Sequence, residues 1–160
     1  MSFRIEVANP KDRDAMLDLF PRLASFELPN GRNPGHLWGG DAEMLRNWAT
    51  TGDENTLVHV ARTPGDTIVG VSMVTLRPEL LSHAPSSHLE AIAVSESAEG
   101  QGIGQALLEA AEAAARERGA LSMSLHVFST NGRARRVYER AGYDEELVRC
   151  IKPFTKDALS

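Results

Sequence analysis

Apolar and polar positions change period several times along this chain. Phe3, Ile5 and Val7 alternate with Arg4, Glu6 and Ala8, the two-residue period of a strand. Asn9-Pro10 breaks it, and Asp12 is placed to cap a helix carrying Met16, Leu17, Leu19, Phe20 and Leu23. Residues 28–40 are rich in Pro, Gly and Asn and predict a long loop, with His36, Leu37 and Trp38 embedded in it. Asp41 then reads as the cap of a short helix holding Met44, Leu45 and Trp48. Residues 57–62 and 67–76, rich in Val, Ile and Thr, predict a hairpin about the turn Thr63-Pro64-Gly65-Asp66. A polar loop over residues 78–87 leads to a strand over 88–94. Residues 102–118 place Ile103, Leu107, Leu108, Ala111, Ala114 and Ala115 on one helical stripe that Gly119 ends. Leu121, Met123, Leu125 and Val127 alternate as a strand. Asn131 opens a helix with Val137 and Tyr138 that Gly142 stops, and residues 147–151 predict a last strand. The order β-α-α-β-β-β-α-β-α-β implies an α/β or mixed α+β sheet, about six strands flanked by about four helices.

Length and composition narrow the class. The 160 residues, 42% hydrophobic and 24% charged, suit one domain over residues 1–160 with no repeat or linker. Cys150 is the lone cysteine, so no internal disulfide forms, which fits a reducing, cytoplasmic setting. No run of about 18 apolar residues predicts a membrane span, and residues 1–8 lack the pattern of a secretory signal. The net charge of −5 argues against a nucleic-acid partner and is compatible with a cationic small molecule.

The chemistry concentrates where a strand ending Ile92-Ala93-Val94 leads into Glu99-Gly100-Gln101-Gly102-Ile103-Gly104 at the start of a helix. First-turn amides of a helix lack internal partners and point outward. Glycines let those amides approach phosphate oxygens, and the helix dipole favours negative charge. Gln105-Ala106 follows Gly104, so the Lys-Ser/Thr of a P-loop is absent. Gln105 also spoils the last place of a dinucleotide fingerprint. The glycines alone also admit a plain chain-reversing turn.

Read with its flanks, the segment resembles the GCN5-related N-acetyltransferase (GNAT) family. Leu89-Glu90-Ala91-Ile92-Ala93-Val94 is similar to its central strand, and Gly102-Ile103-Gly104-Gln105-Ala106-Leu107-Leu108 to its pyrophosphate loop and helix. The spacing of Asn131 and Tyr138, and Ala141-Gly142-Tyr143 after them, match the following helix. The likeness covers the C-terminal 70 or so residues; the first 55 match in general shape only. Glu99 departs from the family pattern, which has Gln or Arg there. A carboxylate beside a diphosphate is repelled, so Glu99 is expected to point to solvent and Glu99→Arg to tighten acetyl-CoA binding.

The resemblance implies acetyl-CoA as co-substrate and an amine acceptor, a small molecule or a peptide. It implies that Ile92, Ala93 and Val94 pair with the pantetheine arm through their backbone. Glu99, Gly100, Gln101, Gly102, Ile103, Gly104, Gln105 and Ala106 form the diphosphate loop, and Asn131 bonds the pantetheine. Glu90 is the candidate base for an ammonium of pKa about 10.4, or else only binds a cationic substrate. Tyr138 is the candidate acid for the departing thiolate. His88 and His126 are reserve bases, and no metal is implied. Cys150 is expected in a buried strand; Arg133, Arg135 and Arg136 either meet the CoA phosphates or form a solvated helix face, the more usual outcome for such a run. Residues 26–48 and 78–87 are expected to build the acceptor site, with Trp38 anchoring its loop or lining a pocket. The alternatives are a non-catalytic acyl-CoA sensor of the same fold, or an unrelated nucleotide-binding α/β domain. Oligomeric state is left open, with a homodimer as default.

Overall fold

A computed structural model describes residues 2–160. Five strands form one sheet in sequential order: β1 (Arg4–Val7), β2 (Thr56–Arg62), β3 (Ile68–Pro78), β4 (Pro85–Val94) and β5 (Met123–Leu125). The first four pair antiparallel through short connections. β5 joins β4 in parallel, which requires a crossover, and α3 (Ile103–Glu117) supplies it. The remaining helices are α1 (Arg13–Leu17), α2 (Pro34–Thr51) and α4 (Gly132–Arg140).

Strand alternation divides the apolar residues between two faces. Val58, Val60, Val71, Met73, Ala91 and Ala93 meet Met16, Phe20, Ala42, Leu45 and Trp48 from α1, α2 and the turn Phe20–Ala24. On the other face Ala61 and Val69 meet Ile103 and Leu107 of α3. Val74 and Leu89 meet Leu108 and Ala111, with Tyr138 and Tyr143 packed against them. The predicted stripe of the glycine-led helix is therefore the face that α3 buries: Ile103, Leu107, Leu108, Ala111 and Ala115.

The structure corrects several expectations. Among the described residues there are five strands, not six, because residues 147–151 join no ladder there. Leu147, Val148 and Ile151 are exposed, and Cys150 is exposed rather than buried in a strand. Alternation alone does not make a strand; a ladder partner must be in reach. The predicted loop over 28–40 is half helix. Pro34 takes the first helical position, where its missing N–H costs nothing, and Asn33 Oδ1 accepts from Gly35 N at 2.9 Å. His36 and Trp38 are thus helical, and Asp41 lies inside α2 rather than capping it. Pro21 interrupts the first predicted helix, leaving α1 and a 3-10 turn. The polar loop shrinks to 79–84, and the strand expected over 121–127 keeps only Met123–Leu125.

Gly70 shows how closely α3 is seated. A Cβ there would lie 2.9 Å from Ile103 Cγ2, 2.9 Å from Leu107 Cδ1 and 3.4 Å from Ala61 Cβ. Gly70→Ala is expected to destabilise the fold by about 1–3 kcal/mol through overpacking, read as a lowered midpoint in chemical denaturation.

Candidate active site

β4 and β5 share only the register Ser87↔Met123 to Leu89↔Leu125. Beyond it β5 ends, and residues 90–94 of β4 have β3 on one edge and no strand on the other among the described residues. Ile92, Ala93 and Val94 lie along this open edge. One acceptor on it is used by the protein itself: Arg22 Nε donates to the Val94 carbonyl at 3.2 Å.

The edge runs into the glycine loop. Gly100 and Gly102 hold φ of 76° and 80°, left-handed values that a side chain would strain. Gly102 occupies the cap position of α3 with no side-chain cap and no acidic residue in the first turn. The early amides of α3 thus face outward with the positive end of the dipole. Ala106 does not join them, since its amide donates to the Gly102 carbonyl at 3.1 Å. Gln105 turns its side-chain amide to Glu109.

Glu99 does not face bare solvent. Its carboxylate pairs with Arg22 Nη2 through one oxygen and with Arg133 Nη1 at 3.1 Å through the other. The Arg133 guanidinium, with Arg22 beside it, holds the carboxyl below the usual carboxylate range. Two cations therefore offset the one anion at the mouth of the loop. Arg133 is exposed on its helix, as expected, and still reaches Glu99, while Arg135 pairs with Glu145. Sequence spacing had no means of finding Arg22, which lies 77 residues from Glu99.

Glu90 owes its direction to a β-bulge. Met73 pairs with Ala91 and Val74 with Leu89, so Glu90 is an extra residue in β4. Its Oε1 accepts from Thr75 Oγ1 at 2.7 Å and lies 3.8 Å from Arg77 Nη2, and its side chain is 15% exposed. Asp41 of α2 is close enough that Glu90's charge bears on it. Burial first, and Glu90 second, push the Asp41 carboxyl up to about 7. His88 is buried, with Nδ1 2.7 Å from Ser124 Oγ and its ring against His126. Burial, then Arg77, push it down to about 4, so it is neutral near pH 7 and weak as a reserve base.

Tyr138 stands on the other face of the sheet, in the cluster with Leu108, Ala111 and Leu125. Its ring packs edge-on to Tyr143 at 6.0 Å, and burial pushes its phenol up to about 12. The phenol is thus protonated at neutral pH. Asn131 caps α4, its Oδ1 accepting from Ala134 N at 3.3 Å, so that oxygen is already engaged. Trp38 lines an open cavity of about 420 Å³ with Asp14, Leu17, Asp18, Pro21 and Arg46. No described helix is long and apolar enough to cross a membrane.

Comparison with known proteins follows the same lines. Residues 21–143 match the profile described as "Acetyltransferase (GNAT) family". A Pyrococcus furiosus structure, whose acetyl-transferase name is provisional, is 22% identical with a TM-score of 0.77, over 96% of this chain and all of that one. The ribosomal-protein-alanine N-acetyltransferase of Brucella melitensis biovar Abortus 2308 is 19% identical at TM-score 0.69, over 96% of this chain and 100% of its own. The aminoglycoside 6'-N-acetyltransferase of Acinetobacter baumannii is 17% identical at 0.72, over 96% and 99%. No curated protein sequence gives a match.

The offset of Glu99 yields a two-step prediction. Arg133→Ala should weaken acetyl-CoA binding on the order of fivefold to tenfold, measured by calorimetry. Adding Glu99→Gln in that background should recover part of the loss, because the uncovered carboxylate is then gone.

Proposed function

The chain belongs to the acetyltransferase (GNAT) family, and from that premise we propose that it moves the acetyl group of acetyl-CoA to a primary amine by direct attack in a ternary complex. The observation that carries the reading is continuity: the open edge of β4 runs into a glycine loop and an uncapped helix N-terminus. An extended chain carrying amides and ending in a diphosphate has complementary groups along that whole path. Arg22 and Arg133 add cations where the path ends.

When bound, acetyl-CoA supplies an activated thioester. The backbone of Ile92, Ala93 and Val94 is suited to hold its arm, with Arg22 exchanging its bond to Val94 as the arm enters. The loop from Glu99 to Gln105 is suited to its diphosphate. Glu90, fixed by Thr75, is the proton acceptor for the amine, directly or through water. Tyr138 holds a proton for the departing sulfur, since its phenol stays neutral across the working pH range. The two groups lie on opposite faces of the sheet, so both are in reach only at the gap where β5 leaves β4. Cys150, exposed in the tail, has no part in this scheme. A non-catalytic reading rested on Glu99 as a sign of decay, and the arginine pairs remove that support.

Acetyl-CoA and CoA, rather than ATP or NAD, are expected to raise the thermal midpoint, and free thiol should appear only when an amine is added. Protection by NAD instead would sink the assignment. Tyr138→Phe is expected to lower kcat about tenfold to a hundredfold while changing KM for acetyl-CoA far less. A pure KM effect would reduce Tyr138 to packing.

A further inference from the structure

Asp41 is a carboxylate on the wrong face of its helix. It falls in step with Leu45 and Trp48, both buried, at the spacing that directs side chains of α2 onto the sheet. It makes no hydrogen bond and no ion pair among the described residues. Its charged neighbour is Glu90, a like charge.

The groups around this pair do not neutralise it. Arg77 lies 3.8 Å from Glu90 and so offsets that carboxylate. Thr75 donates to Glu90, not to Asp41. His88 is kept neutral by burial and Arg77, and its Nδ1 is engaged with Ser124. His126 stacks on His88. One negative charge is left over, half-buried, beside the candidate base. A carboxylate in that setting raises the cost of the empty site and lowers it once a cation arrives.

We propose that Asp41 is a specificity-determining residue of the acceptor site, and that with Glu90 it receives the acceptor's nitrogen as an alkylammonium, so that the enzyme selects strongly basic aliphatic amines over neutral, weakly basic ones. This rests on the transfer reaction proposed above. Asp41 binds and orients; the proton still leaves through Glu90. The raised pKa of Asp41 agrees with this, because a nearby ammonium would draw it back down as the complex forms.

The test uses two ring amines of similar size: cyclohexylamine, cationic at pH 7.5, and aniline, neutral there. Asp41→Asn is expected to cut kcat/KM for cyclohexylamine at least tenfold, mainly through KM. It should leave aniline within about twofold, and KM for acetyl-CoA unchanged. The rise of kcat/KM for cyclohexylamine through pH about 7 should vanish in the variant, and Asp41→Glu should restore part of the preference. Equal losses with both amines, or none, would overturn the assignment while leaving the transfer reaction standing. A second arm reads the free protein. The folded state holds the Asp41 proton more tightly than the unfolded chain, whose carboxyl titrates near 3.8. Wild type is therefore penalised increasingly from about pH 4 to about pH 7, and Asp41→Asn escapes that penalty. The variant's midpoint should exceed wild type's by a margin that grows over this window and then levels. Absence of that margin would also overturn the inference. If the margin is present but neither amine is acetylated, the transfer reaction fails and this selectivity fails with it.

Discussion

β4 loses its neighbour at Leu89, where β5 stops at Leu125, while the sheet around it remains covered by helices on both faces. Backbone groups left without partners in such a place cost about 1–3 kcal/mol each unless water or a ligand meets them. The rest of the candidate site is arranged about that gap. α3 starts where the open edge ends, so its unpaired amides continue the same line of donors. Arg22 reaches across to the last carbonyl, a protein group standing where an extended ligand would bond.

The bulge at Glu90 divides the chemistry between the faces. In an unbroken ladder Glu90 would alternate with Leu89 and Ala91. The extra residue shifts the alternation, and Glu90 turns toward Thr75 and α2. Tyr138 stays on the α3 side among apolar neighbours, where burial keeps its phenol protonated. The proposed proton acceptor and proton donor thus lie on opposite sides of the sheet.

Two carboxylates near the gap meet opposite fates. Glu99 sits between two guanidiniums, which hold its carboxyl below the ordinary range. Asp41 is half-buried with no hydrogen bond or ion pair among the described residues, and burial first and the charge of Glu90 second push it the other way. The loop end of the open edge is made cationic despite its acidic residue, and the end near Asp41 and Glu90 is acidic. That polarity is the one the proposed reaction calls for.

Much of this was legible along the chain. Glycines at 100, 102 and 104, the stripe from Ile103 to Ala115, the strand before them and the Asn131–Tyr138 spacing are local patterns, and local patterns follow from backbone sterics and helical period. They identified the family, the sheet-and-helix class and the loop. Contacts between distant segments were not legible. Arg22 meeting Glu99, the charge of Glu90 bearing on Asp41 and Thr75 meeting the bulged Glu90 depend on how helices dock and on one extra residue in a strand register. The tail strand over 147–151 failed for the same reason: its alternation is local, but a ladder partner is not. Sequence by itself determined the main strands, the glycine-led helix and the glycine turn before it, because those depend on neighbours within a few residues. Only the tertiary structure decided where the charges lie, because charge is balanced across space by groups that the chain order keeps far apart.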